Sequence, residues 1–145
     1  MFSVFKKKGP QPVDVCKEVI SQEYHGINHR DLSPGSLKVI GVLQHAGYEA
    51  YLVGGGIRDL LLRKHPKDFD VATSAKPIEV QKLFKRSRLI GRRFQIVHVR
   101  IGAEVIEVTT FRGSANNSEM RRTNASGMLV RDNVFGSVED DAVRR

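Results

Sequence analysis

Two aspartates one residue apart, Asp68 and Asp70, follow closely on a run of three glycines, Gly54-Gly55-Gly56. If the aspartates lie on a strand, alternate positions put both carboxylates on one face, with Cα atoms roughly 6–7 Å apart. Carboxylates at that spacing can converge on two divalent ions about 3.5–4 Å apart, an arrangement suited to in-line attack on a phosphate. Oxygen-only ligands suit Mg2+. Nucleotidyl transfer needs an activated attacking 3′-hydroxyl and neutralised charge on the departing pyrophosphate, and two Mg2+ ions can supply both. The glycines complete the pattern. A backbone without side chains can approach a phosphate closely, and a helix opening there offers free N–H groups and partial positive charge. Asp68 and Asp70 are therefore the candidate catalytic and metal-holding residues. Gly54, Gly55 and Gly56 are candidates to hold a triphosphate, and Arg58 can reach back to a phosphate or a sugar. Asp59 fits a helix N-terminal charge or an ion-pair partner within the fold.

These residues need elements to position them. Tyr48 to Val53 reads as a buried strand running into the glycines, with a short helix following over about Ile57 to Leu62. Arg63-Lys64-His65-Pro66 is a basic turn before a second strand, Asp68 to Thr73. Phe69 between the aspartates should point into the core and anchor them. Upstream, Ser33-Pro34 is a capping hydroxyl followed by proline in a first turn. It opens a helix with an apolar stripe of Leu37, Ile40, Val42, Leu43 and Ala46, stopped at Gly47. Pro77 opens another helix through about Lys85. Arg88 to Ile90 is a short strand, and Phe94 to Ile101 alternates as a longer one. A tight turn at Gly102-Ala103 brings Glu104 to Phe111 back as a hairpin. The polar stretch 112–126 reads as a flexible loop. The sum is an α/β (α+β) fold, a mixed β-sheet flanked by helices. Residues 1–30, with a weak helical signal over 13–24, form a flexible N-terminal extension, and 31–145 form one domain.

The chain carries 24 basic and 16 acidic residues, a net charge of +8. Such an excess favours a polyanionic partner. It is concentrated in Val80 to Ala103, which holds Lys82, Lys85, Arg86, Arg88, Arg92, Arg93 and Arg100 and no acidic residue. This stretch reads either as an electrostatic track for an RNA backbone or as a solvated helix face with strand ends. Arg92 and Arg93 are candidates to grip RNA or a nucleotide, with plain surface charge as the alternative. Lys6, Lys7 and Lys8 fit a solvated charged tail. No apolar run approaches the roughly 20 residues a membrane helix needs. A single cysteine, Cys16, forms no internal disulfide, which suits a reducing cytoplasm. The five histidines show no metal-site spacing. His98 reads as a packed histidine. Glu107 on the hairpin strand is either a third carboxylate for the aspartates or the partner of an arginine such as Arg112.

Several segments carry a resemblance. Tyr51-Leu-Val-Gly-Gly-Gly-Ile-Arg58-Asp59, Lys67-Asp68-Phe69-Asp70-Val71 and Ile106-Glu-Val-Thr-Thr-Phe-Arg112 resemble the head domain of the class II branch of polymerase beta-like nucleotidyltransferases. That branch contains CCA-adding tRNA nucleotidyltransferases and bacterial poly(A) polymerases. His29-Arg-Asp-Leu-Ser33, Leu89-Ile-Gly-Arg-Arg-Phe-Gln-Ile-Val-His98 and Gly127-Met-Leu-Val-Arg-Asp-Asn-Val-Phe-Gly136 look more like the poly(A) polymerases. The resemblance implies template-independent addition of AMP from ATP to RNA 3′ ends with release of pyrophosphate, with two Mg2+ ions as cofactor. CCA addition to tRNA, or a catalytically idle nucleotide- or RNA-binding module, are the alternatives. It also implies nucleotide contact at Gly55 and Arg58, and at Arg145 or Arg144. In the family a further acid stands just after that arginine pair. This chain stops at Arg145, so the resemblance leads us to expect a head domain truncated at its C-terminal end, inside a longer enzyme.

Overall fold

The computed structural model describes residues 17–113, 121–123, 129–132 and 135–144. Cys16, the Lys6–Lys8 run and Arg145 lie outside the described residues. The elements are α1 (Gln22–His25), a 3-10 turn (His29–Asp31), α2 (Pro34–His45), β1 (Ala50–Val53), α3 (Gly55–Leu61), β2 (Asp70–Thr73), α4 (Pro77–Leu83), β3 (Ser87–Ile90), β4 (Ile96–Ile101), β5 (Glu104–Thr110), β6 (Arg121–Thr123), β7 (Leu129–Asp132) and α5 (Val138–Arg144). Five strands form one sheet in the order β1-β2-β5-β4-β3. Only β2 and β5 run parallel; the other pairs are antiparallel. The mixed sheet flanked by helices is the architecture expected from the sequence.

One face of the sheet is the core. Val71, Val108, Val97, Val99 and Ile106 are buried there with Val39 and Leu43 of α2 and Val80 of α4. Phe69 is buried as well, and so anchors the segment between the two aspartates. The opposite face carries Asp70, Glu107, His98 and Arg88, which the strand register sets in one row across β2, β5, β4 and β3.

Local chemistry fixes the ends of α2. The Ser33 hydroxyl oxygen accepts the Ser36 N–H at 3.1 Å, and Pro34 occupies the first turn. The Gly35 N–H, an orphan of the same turn, donates to Glu104 Oε1 at 3.2 Å and ties the helix to the start of β5. The buried positions of α2 are Gly35, Ser36, Val39 and Leu43, whereas Ala46, expected on the stripe, is exposed at the helix C-cap.

Several boundaries shift from expectation, each for a local reason. The Tyr48 N–H bonds back to the Leu43 carbonyl, so β1 begins only at Ala50. It is half-exposed rather than buried, with only Ala50 inside. Helix α3 starts at Gly55, because the second and third glycines are already its first turn. Strand β2 starts at Asp70, leaving Asp68 just before the strand rather than on it. Helix α4 ends at Leu83 because Phe84 turns extended and buries its ring. The weak helix expected over 13–24 is a single turn at Gln22–His25 among the described residues. Within 112–126, expected to be loop throughout, Arg121–Thr123 pairs antiparallel with Leu129–Asp132.

Candidate active site

The glycine run packs directly on the aspartate segment. Gly54 has φ +76°, where L side chains are strained, and a Cβ there would stand 3.1 Å from Asp70 Oδ2. A Cβ on Gly56 would meet the Asp68 carbonyl oxygen at 3.2 Å. The strand pairing explains the closeness: Val53 and Asp70 are register partners across β1 and β2. Gly54 and Gly56 are thus required by the aspartates' position, independently of any ligand. Asp68 is exposed and Asp70 half-buried. Both line one pocket of about 410 Å³ with Gly55, Gly56 and Arg58. Lys64, His65 and Lys67, from the turn that the sequence marked only as basic, complete its rim. Arg58 points along the surface, with Nη2 3.3 Å from Asp59 Oδ1. This is the ion pair expected of Asp59, and it holds the guanidinium beside Gly55. The pair is solvent-exposed and so weakly bound, which leaves Arg58 able to turn to a stronger anion.

Glu107 lies beside Asp70 in the parallel β2–β5 pair. Its carboxylate Oε2 is 3.6 Å from His98 Nε2, not paired with Arg112. His98 is half-buried and contacts Glu107 rather than packing in apolar surroundings. Among the described residues, no three His, Cys, Asp or Glu side chains meet in a metal-holding group. Asp68 and Asp70 give the pocket oxygen donors of the kind Mg2+ takes, beside Asp59, which is paired with Arg58, and His65.

A second hollow of about 370 Å³ adjoins on the same sheet face, lined by Phe94, Ile96, Glu107, Thr109, Arg112 and Arg144. Arg112 stacks its guanidinium 3.8 Å from the Phe94 ring centroid. Arg144, at the end of α5, donates from Nη1 to the Gly113 carbonyl at 3.2 Å. Helix α5 is fastened by Asp141, which is 3% exposed and accepts the Arg112 backbone N–H at 3.0 Å. Sequence reading missed α5 and this hollow. The acidic first turn Glu139-Asp140-Asp141 ahead of Arg144 was the available helix signal. Arg92 and Arg93 are exposed on the β3–β4 connection and line neither hollow. Tyr51 stacks on Phe111 with ring centroids 6.2 Å apart. Burial, then the Glu49 carboxylate that accepts its hydroxyl at 3.3 Å, hold its phenol above the ordinary range.

Comparison with known proteins agrees with this fold. The family model described as the poly A polymerase head domain matches residues 50–145. Poly(A) polymerase I of Salmonella typhi is 57% identical over 88% of this chain, and that of Haemophilus influenzae 50% identical over 96%. The chain spans 28% and 32% of the lengths of these two relatives. Among solved structures, the Bacillus stearothermophilus CCA-adding enzyme in complex with CTP superposes with a TM-score of 0.58 at 35% identity, covering 79% of this chain and 26% of that one.

Proposed function

This chain belongs to the poly(A) polymerase head-domain family, and from that premise we propose that it is the nucleotide-handling part of an enzyme that adds AMP from ATP to RNA 3′ ends without a template, releasing pyrophosphate. One observation carries the reading: Asp68, Asp70, Gly55, Gly56 and Arg58 line a single pocket. Asp68 and Asp70 would hold the Mg2+ ions, whose charge would offset that of the pyrophosphate and favour the ionised 3′-hydroxyl. Gly54 and Gly55 keep the wall beside Asp70 clear of side chains, so that phosphate oxygens can approach the backbone. Arg58 exchanges its exposed bond to Asp59 for a phosphate oxygen, a charge-assisted contact. Lys64 and Lys67 add positive potential at the rim. Arg144 approaches from the Glu107 side. Arg92 and Arg93 take RNA phosphates on the β3–β4 connection. ATP and RNA place the activity in the cytoplasm. Among the described residues no helix is long and apolar enough to cross a membrane.

CCA addition is the second reading, favoured by the CTP-bound structural neighbour. The higher identity to poly(A) polymerases ranks it below polyadenylation. The deciding experiment is Mg2+-dependent incorporation of each nucleoside triphosphate onto an RNA primer. It uses the chain alone and the chain joined to the remaining length of the Salmonella typhi relative. Adenylate addition from ATP alone supports polyadenylation. CTP incorporation onto a tRNA lacking its terminus would replace it with CCA addition. Nucleotide binding with no addition by either form would leave an idle binding module.

A further inference from the structure

The basic residues between Val80 and Ala103 do not form one track. The fold gathers Lys85, Arg86, Arg88 and Arg100, with His98, around one pocket of about 450 Å³ on the β3–β4 edge of the sheet. The hairpin pairing makes this possible: Arg88 faces His98 across the β3–β4 ladder, and the Arg100 N–H bonds to the Arg86 carbonyl. No acidic residue lines the pocket. Among the described residues, none of its four Lys and Arg side chains is in an ion pair. Four cations held together without a counter-charge repel one another, a cost that an anion removes. Arginine forks match phosphate oxygens in particular.

Position selects the anion. Asp70, Glu107, His98 and Arg88 occupy successive strands of one row on the same sheet face. Three strand spacings, roughly 14 Å, separate Asp70 from Arg88. That exceeds the reach of the triphosphate of a nucleotide held at Gly54 and Arg58, but a short single strand spans it. We propose that this pocket holds backbone phosphates of the RNA strand a few nucleotides upstream of the 3′ end that lies at Asp68 and Asp70. The inference rests on the polyadenylation reading for what lies at the aspartates. It adds the path of the strand: across the sheet over Glu107 and His98 to the β3 edge.

The test is binding of a fluorescein-labelled single-stranded oligoadenylate to this chain over a range of salt concentrations. It is run beside the variant Arg86→Gln/Arg88→Gln/Arg100→Gln, with ATP binding measured in parallel. The expected result is about tenfold weaker RNA binding at low salt. The slope of log affinity against log salt should fall by about 2, at about 0.7 per lost phosphate contact for a single strand. ATP binding should be unchanged. Should the triple variant unfold by circular dichroism, Arg88→Gln and Arg100→Gln singly should each lower the slope by about 0.7. RNA binding with unaltered affinity and slope would overturn the pocket assignment and leave the polyadenylation reading standing. Equal loss of ATP binding would overturn it in favour of a nucleotide phosphate site. An acidic oligopeptide competing as well as RNA would overturn it in favour of a protein partner. A parent chain that binds ATP but no RNA would overturn both the pocket and the RNA part of the proposed function.

Discussion

At Gly54 a single hydrogen in place of a methyl group keeps the glycine loop and the Asp70 carboxylate in contact. The substitution Gly54→Ala forces a side chain into φ +76° and to 3.1 Å from Asp70 Oδ2. The strain is of order 1–3 kcal/mol, and relieving it moves the carboxylate. We expect a measurably lower Tm together with weakened Mg2+-dependent ATP binding, and full ATP binding would show that the loop tolerates the shift. Asp70→Asn is the complementary change. It keeps the shape of a half-buried side chain and removes its charge, so the fold should hold within a few tenths of a kcal/mol in a denaturant titration. Nucleotidyl transfer in the joined, full-length form should fall by about a hundredfold or more, since a metal site contributes several kcal/mol and each 1.36 kcal/mol is tenfold in rate. Retained activity would move the chemistry elsewhere.

The helices divide into those that build the core and those that approach the open face. Helix α2 packs on the core face, opposite the row that begins at Asp70. Its cap therefore affects stability without touching the pocket. Ser33→Ala removes the 3.1 Å acceptor for the Ser36 N–H and should cost about 1 kcal/mol. Urea denaturation reads the loss, and ATP affinity should be unaltered. Helix α5 behaves differently. Its buried Asp141 receives the Arg112 N–H at 3.0 Å and holds the element that carries Arg144. Asp141→Ala should cost about 1.5–3 kcal/mol and loosen Arg112 and Arg144 against the Glu107 hollow. A protein as stable as the parent would show that α5 is held by other contacts.

Across the whole molecule the charge of +8 is unevenly spread. Acidic groups collect at the glycine loop and at the first turn of α5, and arginines collect along the β3–β4 hairpin. Such a surface binds polyanions with steep salt dependence. Reversing Arg92 and Arg93 to glutamate should weaken RNA binding and lower its salt slope by about 1–2, the amount two lost single-strand contacts or added repulsion supply. An unchanged slope would put both residues off the RNA path.

The primary sequence by itself determined the class of fold and which residues are candidates for the chemistry. The glycine run and the aspartate pair are contiguous signals, and alternation in 94–101 and 104–111 marks strands whatever they pair with. The candidates Gly55 and Arg58 and the carboxylates Asp68 and Asp70 line one pocket, and Gly54 packs against the Asp70 carboxylate. Tertiary structure alone decided what stands beside what. A parallel neighbour such as Glu107 for Asp70 arises from a crossover through α4 and the β3–β4 strands, which no local pattern encodes. Pairing across β4 and β5 gave Glu107 to His98 instead of Arg112. The β3–β4 pairing drew four of the seven basic residues of 80–103 into one pocket. Sequence periodicity records which face a residue takes; only closure of the sheet sets its neighbours, because those contacts join segments far apart in the chain.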